Sequence, residues 1–466
     1  MAVVVTGMLA TGARAEPSAT QVNFSTTPTL SPKYGPFVRD YVVRCNDAPV
    51  DVSVHADTGW EVSVDNGPFQ SGDFTQTVPL SSGQEFTVRI RDLLQTELYH
   101  YYVRCLPTDF PRYTYTRYAP ASPQFFSVDP RPTSDTRRYA IVFDNQGVPV
   151  WWYPGGSYAI KVLADGRVMW FDNARAAWAI RRLDGSVVRL LPGVGCTPNF
   201  RDAELLPDDG YQVACYVKRD HVDLSAYGGP SDATVADARL QEVSPTGKLR
   251  WQWKSQNRIP LSETASRWWP TLGPPPGDYY DIVHWNSIAP VGSAVIASFK
   301  YTDAVYKIDK STGAIRWKLG GTTRPESLEV KGDPLPYTFG GQHDVQRLPD
   351  GTVTVFDNRQ DLGQPRAVRF RIDEQARTAK LLEMITDPAV TQNIGSGSAR
   401  RLGNGEWLVS WGETNPVGGY EPDGSPTFRL YFENSFTPSA DPIPPGAVTA
   451  QDLRQAMDAM CSVGCG

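Results

Sequence analysis

No stretch of this chain reaches the roughly 18 consecutive apolar residues that a membrane-spanning helix needs, so no helical span is expected. Basic runs and acidic tails are missing as well. The 45 Lys and Arg and 51 Asp and Glu leave a formal net charge of -6, spread along the chain. A nucleic-acid partner is therefore not expected. Histidine is scarce, at five residues, and none follows His343. The close H-x-H or H-x-x-x-H spacing of many metal sites is absent, so no metal is expected. Turn formers and aromatics are plentiful instead: 40 Gly, 39 Pro, 13 Trp, 21 Tyr and 18 Phe. That balance favours short strands and many turns over long helices.

Residues 1–16, "MAVVVTGMLATGARAE", form a short apolar stretch ending in an Ala-Arg-Ala cleavage pattern. They are expected to be the remnant of a signal peptide, which implies a secreted or periplasmic protein. The six cysteines suit that oxidising setting. Cys45 and Cys105 end two similar strands, "YVVRC" and "YYVRC". Cys196 and Cys215 bracket a loop and a hairpin. Cys461 and Cys465 lie together in "CSVGCG". Three local bridges are expected.

Residues 17–125 alternate apolar and polar positions in "VDVSVHA", "WEVSVD", "EFTVRIR" and "LYHYYVRC". A small β-sandwich is expected there, with His55 and His100 as ordinary half-buried strand residues. "PTDFPRYTYTRYAPASPQ" reads as a Pro-rich linker. From 126 to 440 a strand-turn-strand segment recurs: "IKVLADGRVMWFD", "AELLPDDGYQVACY", "NSIAPVGSAVIASF", "DVQRLPDGTVTVFD", "SARRLGNGEWLVSW". A second kind of hairpin alternates with it, as in "VSPTGKLRWQWK" and "IDKSTGAIRWKLGG". Two hairpins per repeat are the signature of a β-propeller blade. Five full units and an opening piece at 138–154 make six blades, the opening piece needing a partner strand from the C-terminal end. The expected fold is all-β, a six-bladed β-propeller preceded by a small N-terminal β-sandwich. The insertion 255–281 is too long for a plain turn. The tail, 441–466, carries a short helix.

Aligning the repeats on their turns reveals a frame. His343 precedes Pro349 by six residues and Gly351 by eight, and His284 stands in the same relation to Pro290 and Gly292. The frame also selects Tyr158, Arg201 and Gly397. Equivalent blade residues reach the same height around a propeller axis, so these five are expected to ring one mouth of the channel, with Asn286, Asp344, Ser396 and Ser398 beside them. Two histidines and an arginine facing one pocket suit an oxyanion. Neighbouring cations would keep an imidazole neutral and nucleophilic near pH 7. Two histidines with Asp344 could also supply three zinc ligands, but without the usual spacing. His221, in "VKRDHVDLS", reads as an exposed loop residue.

"YYDIVHWNSI", "AIRWKLGG", "QHDVQRLPDGTVTVFDN" and "PRAVRFRID" resemble the arylsulfotransferase (arylsulfate sulfotransferase) family over about 138–415. The resemblance implies an exported propeller that moves a sulfuryl group from a phenolic sulfate to a phenol through a sulfohistidine. It implies no nucleotide donor and no other cofactor. It matches His284 and His343 to active-site histidines, and assigns a sulfate-binding arginine to Arg359 or Arg366. It also implies a histidine from a later blade as the sulfuryl acceptor; this chain has "NIGSGSARRLGNGEW" there, with Gly397 in the frame. The nucleophile is then His343, His284, or a serine, Ser396 or Ser398, with histidine as base.

Two functions are expected to compete. One is an aryl-sulfate transferase with His284 and His343 on the sulfate. Arg201, Asn286 and Arg359 or Arg366 would neutralise its oxygens, and Trp285 and Tyr280 would stack the ring. The other is a non-catalytic propeller that binds an anionic or aromatic ligand, or a protein partner. A quinoprotein dehydrogenase would need about eight "DKSTGAIRW"-like repeats, and two copies are convincing.

Overall fold

The structure, a computed structural model, describes residues 17–94, 98–133, 137–155, 158–272, 279–336, 338–413 and 416–461. The expected signal remnant and Cys465 lie outside the described residues. The chain divides into two units, one running to Thr108 and including Cys461, the other Asp109–Met460.

In the first unit, Val22–Thr27, Val50–Ala56 and Phe74–Val78 form one sheet, and Asp40–Val43, Leu98–Cys105, Glu85–Asp92 and Trp60–Val64 form a second. Val50–Ala56 buries alternate residues, as a strand with one face on a core must. Phe24, Val52, Val62 and Tyr101 belong to that core. Cys45 and Cys105 are bridged, with Cα atoms 5.6 Å apart. Asp40–Val43 runs parallel to Leu98–Cys105, pairing Val43 with Cys105, which brings the two cysteines together. His55 is half-buried and bonds Asp73, whereas His100, expected to be half-buried, is exposed.

Among its described residues the second unit contains six four-stranded antiparallel sheets, three of them carrying one further strand. Four follow chain order: Lys161–Leu191, Pro198–Lys254, Trp285–Gly320 and His343–Ile385. Each turn has the residues its geometry demands. Gly166 and Gly351, for example, have φ of 81° and 85°, a region that favours glycine. The sheet built from Phe125–Val128, Tyr139–Asp144 and Pro149–Pro154 takes its fourth strand, Ala440–Pro442, from the far end of the chain. This is the partner that the opening piece lacked in the sequence.

The last sheet, Ser398–Phe432, gains Tyr113–Arg117 as an edge strand. That segment was expected to be linker. Its Tyr-Thr-Tyr-Thr alternation is a strand pattern, and the Tyr115 ring stacks on Phe428 at 5.2 Å. The unit boundary accordingly falls at Thr108–Asp109, ahead of the boundary at 125 read from composition. The expected tail helix is Ala450–Cys461. Thr449 and Asp452 cap it reciprocally, with bonds of 3.1 and 2.8 Å. No helix among the described residues is long and apolar enough to cross a membrane.

Candidate functional site

The frame residues lie at or near the first strand of each sheet, and in four of the sheets the backbone close to them takes a left-handed step. Ala159, His284, Asp344 and Ser396 have φ of 53°, 50°, 53° and 50°, and Gly397 has 115°. Non-glycine residues in this region are uncommon and concentrate at functional sites. Beside each step a side chain ties one sheet to the next. Asp202 accepts from Ile288 N at 2.8 Å, and Ser287 from Val345 N at 2.8 Å. Asp344 accepts from Ala399 N at 2.7 Å, and Ser398 from Ala440 N at 2.9 Å. Asp129 accepts from Ala159 N at 2.9 Å. These bonds satisfy strand-end N–H groups that would otherwise be buried without partners.

Where the steps meet lies a cavity of about 80 Å³, lined by Arg131, Lys161, Arg201, Asn286, His343 and Ser396, with Asp202, Asp344, Arg400 and Asp441 also in its wall. The predicted frame thus brings Arg201, His343 and Gly397 to one place, while Tyr158 and His284 stand outside the cavity lining. The Tyr158 ring lies under the guanidiniums of Arg131 and Arg138, at 4.7 and 4.4 Å.

His343 is buried. Its Nδ1 lies 2.7 Å from Asn358 Oδ1 and 3.0 Å from Gly341 O. Both partners are acceptors, so the proton sits on Nδ1 and the Nε2 lone pair is free. Asn358 in turn donates to Ser396 O at 2.6 Å. Burial, reinforced by Lys300, Arg201 and His284, holds His343 well below the usual imidazole range, against the hydrogen bond it donates to Asn358. His284 is partly exposed beside the cavity. Its Nδ1 donates to Asp281 Oδ2 at 2.6 Å, and its ring meets Tyr301 at 4.5 Å. Burial and Arg201 bring its pKa down to about 4 in spite of Asp281.

Lys161 is paired with Asp202 and Glu204 at 2.7 and 2.6 Å, and Arg400 with Asp344 and Asp441 at 2.9 and 2.8 Å. These pairs are internally compensated, and burial pushes the Asp344 carboxyl up to about 6. Arg201 Nε is buried without a hydrogen-bond partner, as are Arg131 Nε, Arg400 Nε and Ser396 Oγ. All belong to residues lining the cavity. An unsatisfied buried donor costs about 1–3 kcal/mol, a cost that a bound oxyanion would remove.

Several expected site residues are used elsewhere. Arg366 is fully buried and paired with both Asp357, at 2.9 Å, and Asp333, at 2.8 Å. Its charge is spent, so it is no anion ligand. Arg359 donates to Leu362 O at 3.0 Å in its own turn and does not line the cavity. Ser398 lines the cavity but exchanges bonds with Ala440 N and O at 2.9 and 3.2 Å, which removes it as a nucleophile. Asn286 gives one N–H to Gln342 O at 2.7 Å and keeps a second. Trp285, expected at the mouth, is fully buried among Ile288, Phe299 and Tyr306. Tyr280 is half-buried. Among the described residues no group of three His, Cys, Asp or Glu side chains could hold a metal ion.

Sequence reasoning missed Arg131, Lys161, Arg400 and Lys300. Lys161 and Arg400 occupy the frame position three residues after Tyr158 and Gly397, so the same alignment could have found them. Lys300 faces His284 across a hairpin, its N–H bonded to His284 O at 2.9 Å. Arg131 lies outside every repeat and carried no signal.

Residues 204–433 match the arylsulfotransferase (ASST) family model. No curated protein matches this chain. Among solved structures, a Bacteroides caccae protein of unknown function is similar over 69% of this chain and 99% of its own, at 12% identity and a TM-score of 0.43. The β-propeller domain of Myceliophteria thermophila Cps50 (Swd1) is similar over 69% and 89%, at 12% identity and a TM-score of 0.37. A quinonprotein alcohol dehydrogenase-like protein from Bacteroides thetaiotaomicron is similar over 89% and 98%, at 10% identity and a TM-score of 0.35.

Proposed function

Because residues 204–433 belong to the arylsulfotransferase family, we propose that the protein is a nucleotide-independent aryl-sulfate sulfotransferase working from the cavity around His343. In this reading the six sheets are the blades of one propeller, and the bridged cysteines belong to an exported protein. The sulfuryl group of a phenolic sulfate enters the cavity. Arg201 and the free N–H of Asn286 take its oxygens, and Ser396 Oγ–H adds a donor. His343 Nε2 attacks sulfur, the S–O bond to the phenol breaks, and a sulfohistidine forms. A second phenol then takes the sulfuryl group and restores the imidazole.

The observation that carries this reading is the pairing of a neutral His343, its Nε2 free, with Arg201, whose Nε has no hydrogen-bond partner, on one cavity wall. Size agrees with it. The cavity of about 80 Å³ has room for a sulfuryl group. The ring would remain at the partly exposed edge near Tyr301 and Tyr216. The later-blade histidine has no place here. A Cβ on Gly397 would stand 2.2 Å from the Phe356 ring, so the sulfuryl-accepting role falls to His343.

The test is incubation with 4-nitrophenyl sulfate and a phenol acceptor, without a nucleotide donor, following nitrophenolate. Wild-type protein should release it only with acceptor present. His343→Ala should abolish release, and His284→Ala should reduce it. Binding of the sulfate without release by wild-type protein would instead favour the second reading, a pocket that only holds anions.

A further inference from the structure

Lys300 opens a one-turn 3-10 helix, Lys300–Thr302. Its ammonium lies 5.2 Å from the Trp268 ring and 5.7 Å from that of Tyr301, the ring against His284. A methyl built on Gly341 would sit 3.3 Å from Lys300 Cε and 3.1 Å from Trp268. The carbonyl of that same Gly341 accepts the His343 Nδ1 proton. The end of the lysine side chain is therefore packed against the segment that orients the nucleophile, and the residue is half-buried.

We propose that Lys300 is the proton-transfer residue of this site: its ammonium protonates the departing phenolate, and the resulting amine takes the proton of the incoming phenol. This rests on the transferase reading above. In the first half-reaction the N–S bond to His343 forms and the S–O bond breaks. The electron pair of that bond leaves on the phenolate oxygen, which takes a proton from Lys300. In the second, the acceptor phenol gives its proton to Lys300, its oxygen attacks sulfur, and the N–S bond breaks. Charge and protons balance over the cycle with no other reagent.

The charged groups around the ammonium make this chemistry accessible. Burial and Arg201 bring its pKa down to about 8, with Arg267 acting in the same direction and Glu413 and Asp303 opposing. Asp303 is already engaged by both Arg267 nitrogens, Trp268 Nε1 and Gly341 N. His284 and His343 face it as neutral rings. A phenol titrates near about 10, so the lysine is an acid strong enough to protonate a phenolate and, once neutral, a base near working pH.

The experiment compares single-turnover sulfuryl capture from two donors. Nitrophenolate leaves without a proton, whereas phenolate needs one. Lys300→Met should lose at most about tenfold with 4-nitrophenyl sulfate but about 100-fold or more with phenyl sulfate, the range of general acid catalysis. Lys300→Arg keeps the charge without a usable proton, and should resemble Lys300→Met on phenyl sulfate. The alkaline limb near pH 8 should be present in wild type with phenyl sulfate and absent from both variants. Equal losses on the two donors, or full rescue of phenyl sulfate by Lys300→Arg, would show an anion-binding charge only and overturn the proposal. Wild-type protein inert to 4-nitrophenyl sulfate would overturn the transferase reading itself, and this role with it.

Discussion

His284 and His343 are held as neutral imidazoles by burial first and by nearby cations second, and that has a consequence for stability. The unfolded His284 titrates near about 6.5, the folded one at about 4. Between those values the unfolded chain binds the proton and the folded chain does not. Stability from this residue is therefore complete above the unfolded value and is lost as pH falls through the folded one. The difference corresponds to about 3 kcal/mol. Denaturant unfolding at pH 7 and pH 4 should show it, and His284→Gln should shrink the pH difference by about that amount. His343 adds a residual slope of the same sign. Turnover should likewise keep its acid limb below about 6.5, since both rings stay neutral there. Gly397 makes a steric prediction. Gly397→Ala combines φ of 115° with a contact 2.2 Å from Phe356. It should destabilise the protein by about 3 kcal/mol, seen as a lower midpoint in thermal or denaturant unfolding.

The insertion 255–281 is anchored over its described part, by two buried ion pairs. Glu263, in a short 3-10 helix, accepts from Lys318 and from Tyr306 at 3.1 Å, and lies 3.1 Å from Arg324. Arg267 grips Asp303 at 2.7 and 2.8 Å. Glu263→Ala should cost about 3–5 kcal/mol, because it leaves the fully buried Lys318 without its carboxylate. It should also slow sulfuryl capture, since Trp268 on the same segment packs on Lys300. Thermal unfolding and the nitrophenolate assay read the two effects separately. The repeating hairpins carry a simpler logic. A first strand holds one Asp or Ser near its start that binds the next sheet, and a polar turn, usually with glycine, leads on to a buried second strand. The repeat was legible in the spacing of turns. The role of Asp202, Ser287, Asp344 and Ser398 was not, because it depends on a strand about 40 to 90 residues away in sequence.

Ala440–Pro442, near the end of the chain, completes a sheet begun at Phe125. Two bridges between described residues restrain the chain locally. The Cys45–Cys105 loop spans 60 residues and the Cys196–Cys215 loop spans 19. Loop entropy assigns them about 4 and about 3 kcal/mol. Reduction under mild denaturant should therefore lower stability strongly, and Cys45→Ala with Cys105→Ala should have the larger effect on the first unit, measured by near-UV dichroism or denaturant midpoint.

The strand periodicity, the turn residues, the bridge between "YVVRC" and "YYVRC" and the frame linking His284 to His343 are local patterns, so they could be read directly from the order of residues. Local patterns cannot say which charges are already spent. Arg366 looked like an anion ligand until Asp333 and Asp357 met it in the interior. Trp285 looked like a stacking ring until the sheet turned it inward. Arg201 came to line the cavity with its Nε unsatisfied, and Lys300 became a lysine near pH 8, only through burial and through neighbours brought from other strands. Pairing and desolvation are properties of the packed chain, and the order of residues alone does not contain them.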